Sequence, residues 1–136
     1  MNRHPSYADD DNDAAPRGLP LSPFRRVGDT IYVAGQGAVN ERGEYTSSDF
    51  EGQFRDTMTN LQKVLASAGV GLADIVMVRG YVQNPADLPL YNRLYRDYFS
   101  EPFPARTTIV NCLPEGLLFE IDCVAAAVRA AHEDAS

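Results

Sequence analysis

Two stretches near the C-terminal end decide the fold: Pro104-Ala105-Arg106-Thr107-Thr108-Ile109, and Leu117-Leu118-Phe119-Glu120-Ile121-Asp122. Each reads as an extended, apolar strand carrying ionisable groups where a core is expected. Burying a guanidinium or a carboxylate costs several kcal/mol unless it is paired or used. Placing Arg106 and Glu120 in core-forming strands therefore predicts either a salt bridge or a site.

Alternation in the closing strand separates Leu117, Phe119, Ile121, Cys123 and Ala125 from Leu118, Glu120, Asp122, Val124 and Ala126. The first row is wholly apolar and belongs under helices. The second is mixed, as on a subunit interface that holds a small wet pocket. In the preceding strand Arg106, Thr108 and Val110 share a face. Antiparallel pairing of these two strands would bring Arg106 and Thr108 to the surface that carries Glu120.

Upstream, Phe24 to Val27, Gly28-Asp29 and Thr30 to Gly35 read as a hairpin. A turn follows at Asn40 to Gly43, with a short strand near Glu44 to Thr46. Ser48 reads as the N-cap of a helix, with Glu51 completing a capping box. The helix carries Phe50, Phe54, Met58, Leu61 and Leu65 along one face, and Gly69 terminates it. Ile75 to Val82 is the next strand. Asp87 caps a second helix, with Pro89 in its first turn and Tyr91, Leu94, Tyr95, Tyr98 and Phe99 on its apolar face. Pro102 and Pro104 stop it before the closing strands at Ala105 to Asn111 and Leu117 to Val128. The order β-β-(β)-α-β-α-β-β predicts an α+β fold, a mixed sheet with both helices on one face.

One domain accounts for 136 residues. The expected boundaries are an acidic, disordered tail over 1–19, a domain over 20–130 and a short tail over 131–136. No apolar run suits a membrane span, and Met1 to Pro20 lacks the apolar core of a secretory signal, which makes the cytoplasm the simplest compartment. A net charge of -7 opposes nucleic-acid binding. Cys112 and Cys123 read as small core residues, and His4 and His132 fall in the tails, so no metal site is expected.

From Pro23 to Val124, roughly three quarters of the chain, the sequence resembles the Rid (YjgF) proteins, the reactive intermediate or imine deaminases. The resemblance rests on Val33-Ala34-Gly35-Gln36, Asn92 within Leu90-Tyr91-Asn92, Phe103-Pro104-Ala105-Arg106-Thr107, and Leu118-Phe119-Glu120-Ile121-Asp122. It implies a chorismate mutase-like fold and a homotrimer with clefts between subunits. It also implies that Arg106 holds the carboxylate of a 2-imino or 2-enamino acid, and that Glu120 activates the water that attacks the imine carbon. Phe24, Ala34, Gly35, Asn92 and Thr108 would complete the substrate site, and no cofactor is required. Asp122 reads as a structural partner at the interface, and Arg25, Tyr32 and Arg79 as surface or packing residues.

The best-studied deaminase branch carries a tyrosine, a serine and a cysteine where this chain has Phe24, Ala34 and Thr108. Those differences keep a second reading open, a Rid-fold ligand-binding or pathway-specific protein acting on a larger carboxylate. A third, the ribonuclease activity attached to some relatives, is opposed by the acidic balance.

Overall fold

The computed structural model describes residues 18–127. Residues 1–17 of the expected N-terminal tail, the expected C-terminal tail and the proposed end of the last strand at Val128 lie outside them. The described chain runs β1 (Phe24–Val27), β2 (Thr30–Gly37), α1 (Phe50–Ser67), β3 (Ile75–Val82), α2 (Leu88–Tyr95), β4 (Ala105–Val110) and β5 (Phe119–Ala126), with 3-10 turns at Leu72–Asp74 and Pro85–Asp87. It is a mixed five-stranded sheet with both helices against one face. Among the described residues no helix is long and apolar enough to cross a membrane.

The sheet order is β1-β2-β5-β3-β4. β3 and β4 run parallel, and every other pair is antiparallel. This corrects the expected pairing of the two closing strands. β3 lies between them, because the β3–α2–β4 crossover returns the chain parallel to β3 on its outer edge.

The apolar row of β5 faces the helices as expected: Phe119, Ile121 and Ala125 are fully buried and Cys123 nearly so. Phe119 is the hub, with its ring 4.8 Å from Phe54 of α1 and 5.4 Å from Tyr91 of α2. These contacts place both helices over the same face. The opposite face carries the half-buried Glu120 and Asp122 and the exposed Tyr32 and Met77.

The α1 stripe Phe50, Phe54, Met58, Leu61 and Leu65 is buried throughout. Gly69 closes the helix at φ 80°, where its own N–H donates to Ala66 O and the Val70 N–H donates to Leu65 O. The N-cap is Asp49 rather than Ser48: Asp49 Oδ1 accepts from Gly52 N at 2.8 Å. Glu51 pairs with Arg55 at 3.2 Å instead of reaching back.

Asp87 precedes α2 as expected, without a side-chain capping bond. That helix ends at Tyr95, earlier than its apolar face suggested, and Tyr98 and Phe99 follow in turns. The expected strand near Glu44 is a single bridge between Val39 and Tyr45. Cys112 is exposed, not a core residue, because it follows Asn111 (φ 61°) in the bend that leaves β4.

Candidate active site

Strand register divides the expected site residues between the two faces of the sheet. Arg106 and Thr108 pair with Val78 and Gly80 of β3, whose side of the sheet is covered by the helices. Glu120 pairs with Tyr81 and with Gly37, on the open side. The expectation that one chain presents Arg106 and Glu120 on one surface is therefore corrected. Arg106, Thr108 and Val110 do share a face, but moving β4 beyond β3 makes it the helix face.

On that side Arg106 lies over two rings of α2, its guanidinium carbon 4.9 Å from the Tyr91 centroid and 4.8 Å from that of Tyr95. Its Nη2 donates to Asn92 Oδ1 at 2.7 Å. α2 presents these three groups together because Tyr91 and Tyr95 are one helical turn apart and Asn92 is adjacent. Arg106 thus keeps a fixed plane and helps wall a recess of about 220 Å³, together with Asn92, Tyr95, Arg96, Phe103 and Pro104. Among the described residues Arg106 has no carboxylate partner.

Beneath it the Tyr91 hydroxyl is buried and fills the space left by the missing side chain of Gly80. Burial raises its pKa, although nearby Arg106 and Thr108 act in the opposite direction. Neither reaches it with the geometry of a full hydrogen bond. The Tyr95 hydroxyl is likewise buried without a partner, and burial pushes it up to about 12.

On the open side, Glu120 sits beside Gly35 in the irregular stretch of β2 between Val33 and Gln36. A Cβ on Gly35 would collide with the Glu120 carboxylate, so the glycine makes room for it. Partial burial first, and then neighbouring Asp122, raise the Glu120 pKa above its ordinary value. Asp122 is itself fixed by Arg79 Nε at 2.8 Å and by the Tyr81 hydroxyl at 2.6 Å. The Tyr81 phenol, pushed up to about 12 by burial and then by Asp122, remains a donor.

The other expected residues separate in the same way. Asn92 and Thr108 accompany Arg106. Ala34 is half-buried beside Gly35, its carbonyl accepting from Gln36 at 3.0 Å. Phe24 is 1% exposed and packs in the core, opposite Val33. Its expected contact with substrate is corrected, since strand alternation turns this ring under the helices. The sequence reading did not place Tyr91, Tyr95, Arg96 or Phe103 in the site. The Tyr91/Tyr95 spacing of one turn was the available signal, but it also fits plain core packing.

With this geometry in view, likeness to known proteins becomes informative. Residues 14–127 match the family described as endoribonuclease L-PSP. A RutC family protein of Pyrococcus horikoshii is 32% identical over 114 residues, covering 82% of this chain and 90% of that protein. A protein of Dermatophagoides farinae named 2-iminobutanoate/2-iminopropanoate deaminase is 31% identical over 110 residues, covering 77% and 86%. The crystal structure of RidA from the Antarctic bacterium Psychrobacter sp. superimposes with a TM-score of 0.75 at 29% identity, covering 84% of this chain and 94% of that one. The chain belongs to the Rid (YjgF) family, the family described as endoribonuclease L-PSP.

Proposed function

We propose that this protein hydrolyses reactive 2-enamine and 2-imine carboxylic acids to 2-oxo acids and ammonia, in clefts between the subunits of a homotrimer. One observation carries the reading: a single chain holds two complementary half-sites on opposite sides of its sheet. One is a fixed guanidinium with no carboxylate partner among the described residues, Arg106 beside Asn92. The other is a carboxylate given room by a glycine, Glu120 beside Gly35. A head-to-tail contact between copies joins the two, and repeating it around an axis closes a ring. Exposed Tyr32 and Met77 on the open face are apolar surface that such a contact would cover.

In the assembled cleft the Arg106 fork takes the substrate carboxylate as a bidentate pair. Glu120 accepts a proton from water while the water oxygen bonds to C2 and the C=N electron pair moves to nitrogen. That proton passes from Glu120 to the nitrogen. The hydroxyl proton then passes through Glu120 to the same nitrogen, so that the C2–N bond breaks with release of ammonia and the oxygen's electron pair forms the 2-oxo group. Thr108 stands beside Arg106, and the backbone at Ala34 and Gly35 borders Glu120.

Ala34 beside Gly35 and Thr108 beside Arg106, which stand where the best-studied deaminase branch carries a serine and a cysteine, favour a second reading: a ligand-binding or pathway-specific protein for a larger carboxylate, without general imine hydrolysis. Endoribonuclease activity is disfavoured by the net charge of -7.

The test is complementation between Arg106→Ala and Glu120→Ala, each inactive alone, with imines generated in situ by an amino-acid oxidase. Co-refolding equal amounts should restore about a quarter of wild-type 2-oxo acid release, the share of random interfaces that carry both intact groups. Inactive mixtures would exclude a shared cleft. Saturable carboxylate binding without wild-type turnover would select the second reading.

A further inference from the structure

Arg106 is not the only cation at its recess. Arg96, the residue that closes α2, lines the same cavity of about 220 Å³. Both guanidinium groups are anchored to Asn92: Arg106 Nη2 donates to its side-chain oxygen at 2.7 Å, and Arg96 Nη1 to its backbone carbonyl at 3.2 Å. They are therefore held within a small molecule's length of one another. Among the described residues the rest of the wall is Tyr95, Phe103 and Pro104, with no carboxylate.

The chain has 19 acidic and 12 basic residues. Arg42, Arg55 and Arg79 each form an ion pair, whereas Arg96 and Arg106 form none among the described residues. Two like charges fixed on one residue repel, and a ligand with a single carboxylate leaves the second uncompensated. A ligand with two anionic groups joined by a short apolar segment matches both cations, and the strip of Tyr95, Phe103 and Pro104 suits the methylenes between them.

We propose that Arg96 is a specificity-determining residue that contacts a second carboxylate, so that the preferred substrate is a 2-imino or 2-enamino acid with an acidic side chain. The inference rests on Arg106 binding the substrate's first carboxylate. Arg96 also caps its own helix by bonding the Asn92 carbonyl, a structural role that would not discriminate between ligands.

The experiment is calorimetric titration of the full-length protein with 2-oxobutanoate and with 2-oxoglutarate, for wild type, Arg96→Gln and Arg96→Lys. Wild type should bind 2-oxoglutarate about tenfold more tightly. Arg96→Gln should bring that ratio close to one, chiefly by weakening 2-oxoglutarate, and Arg96→Lys should keep part of it. Equal wild-type affinities, no binding of either acid, or an equal loss for both acids in Arg96→Gln would each overturn the proposal. A parallel turnover assay separates the two ideas. A dicarboxylate preference without imine hydrolysis would sink the deaminase reading and keep the Arg96 subsite; hydrolysis without that preference would do the reverse.

Discussion

The Glu120 carboxylate occupies the space that a side chain on Gly35 would fill. β2 is irregular at this point, between Val33 and Gln36, and the glycine turns its bare Cα toward the first of the two acids of β5. A methyl group there would meet the far end of a flexible side chain, so the carboxylate rather than the backbone would give way.

Gly35→Ala is accordingly expected to fold. Its φ does not lie in the left-handed region, so alanine reduces the freedom of the unfolded chain by about 0.5 kcal/mol and the melting temperature should hold or rise slightly. Activity should fall about a hundredfold, because a displaced base loses the alignment that positioning supplies. Thermal melts paired with the 2-oxo acid assay check this; a stable, fully active variant would remove Glu120 from the chemistry.

A pH dependence follows from the raised pKa of Glu120. The folded chain binds this proton more tightly than the unfolded chain does. The group's stabilising contribution is therefore present when it is protonated, and is lost as pH rises from the ordinary carboxylate value through the raised one. Glu120→Gln should gain stability relative to wild type across that window. Catalysis runs the other way, since a base must be ionised, so kcat/KM should climb through the same window. Asp122→Asn should move that limb to lower pH by removing the neighbouring negative charge. A pH–rate profile that did not move would show Asp122 to be electrostatically silent.

Gln53 is a wholly internal device. It is 1% exposed within α1, yet its amide nitrogen donates to Ser47 O at 3.0 Å and Gly116 O at 2.8 Å, while its oxygen accepts from Leu118 N at 2.8 Å. It thus fastens the loop that delivers β5, and Glu120 with it, to the helix. Gln53→Leu orphans three backbone groups and should cost about 3 kcal/mol, read as a lower urea midpoint. Gln53→Glu keeps only the acceptor half and should also destabilise.

What the sequence revealed follows from what periodicity encodes. The α1 stripe from Phe50 to Leu65 and the two rows of β5 were legible because burial repeats with the helical or strand period. The β3 boundaries, Ile75–Val82, were legible from its unbroken β-rich run. Strand neighbours carry no such signal, so the parity of Arg106, Thr108 and Val110 was right while the face they join was not. Gln53 reads as polar from the sequence alone, and its burial depends on a loop more than sixty residues away. Phe24 was assigned by family position, and the core claimed its ring.

The bed beneath Arg106 yields the last prediction. Tyr91 is fully buried, wedged between Phe54 at 6.1 Å and Phe119 at 5.4 Å, and its hydroxyl presses into the space above Gly80 without a hydrogen-bond partner. Removing a buried, unsatisfied hydroxyl relieves a desolvation cost, so Tyr91→Phe should stabilise the fold by about 1 kcal/mol. Gly80→Ala drives a methyl group into that hydroxyl, and the packed ring cannot retreat, so it should destabilise by about 2 kcal/mol. The double variant should recover part of that loss, because the hydroxyl is gone but the ring edge remains close. Urea denaturation of all four proteins completes a double-mutant cycle, in which additivity would show that the two groups do not meet. Because the Tyr91 ring also carries the Arg106 guanidinium at 4.9 Å, Gly80→Ala should raise the KM for carboxylate substrates even where the protein stays folded, whereas Tyr91→Phe should leave it nearly unchanged.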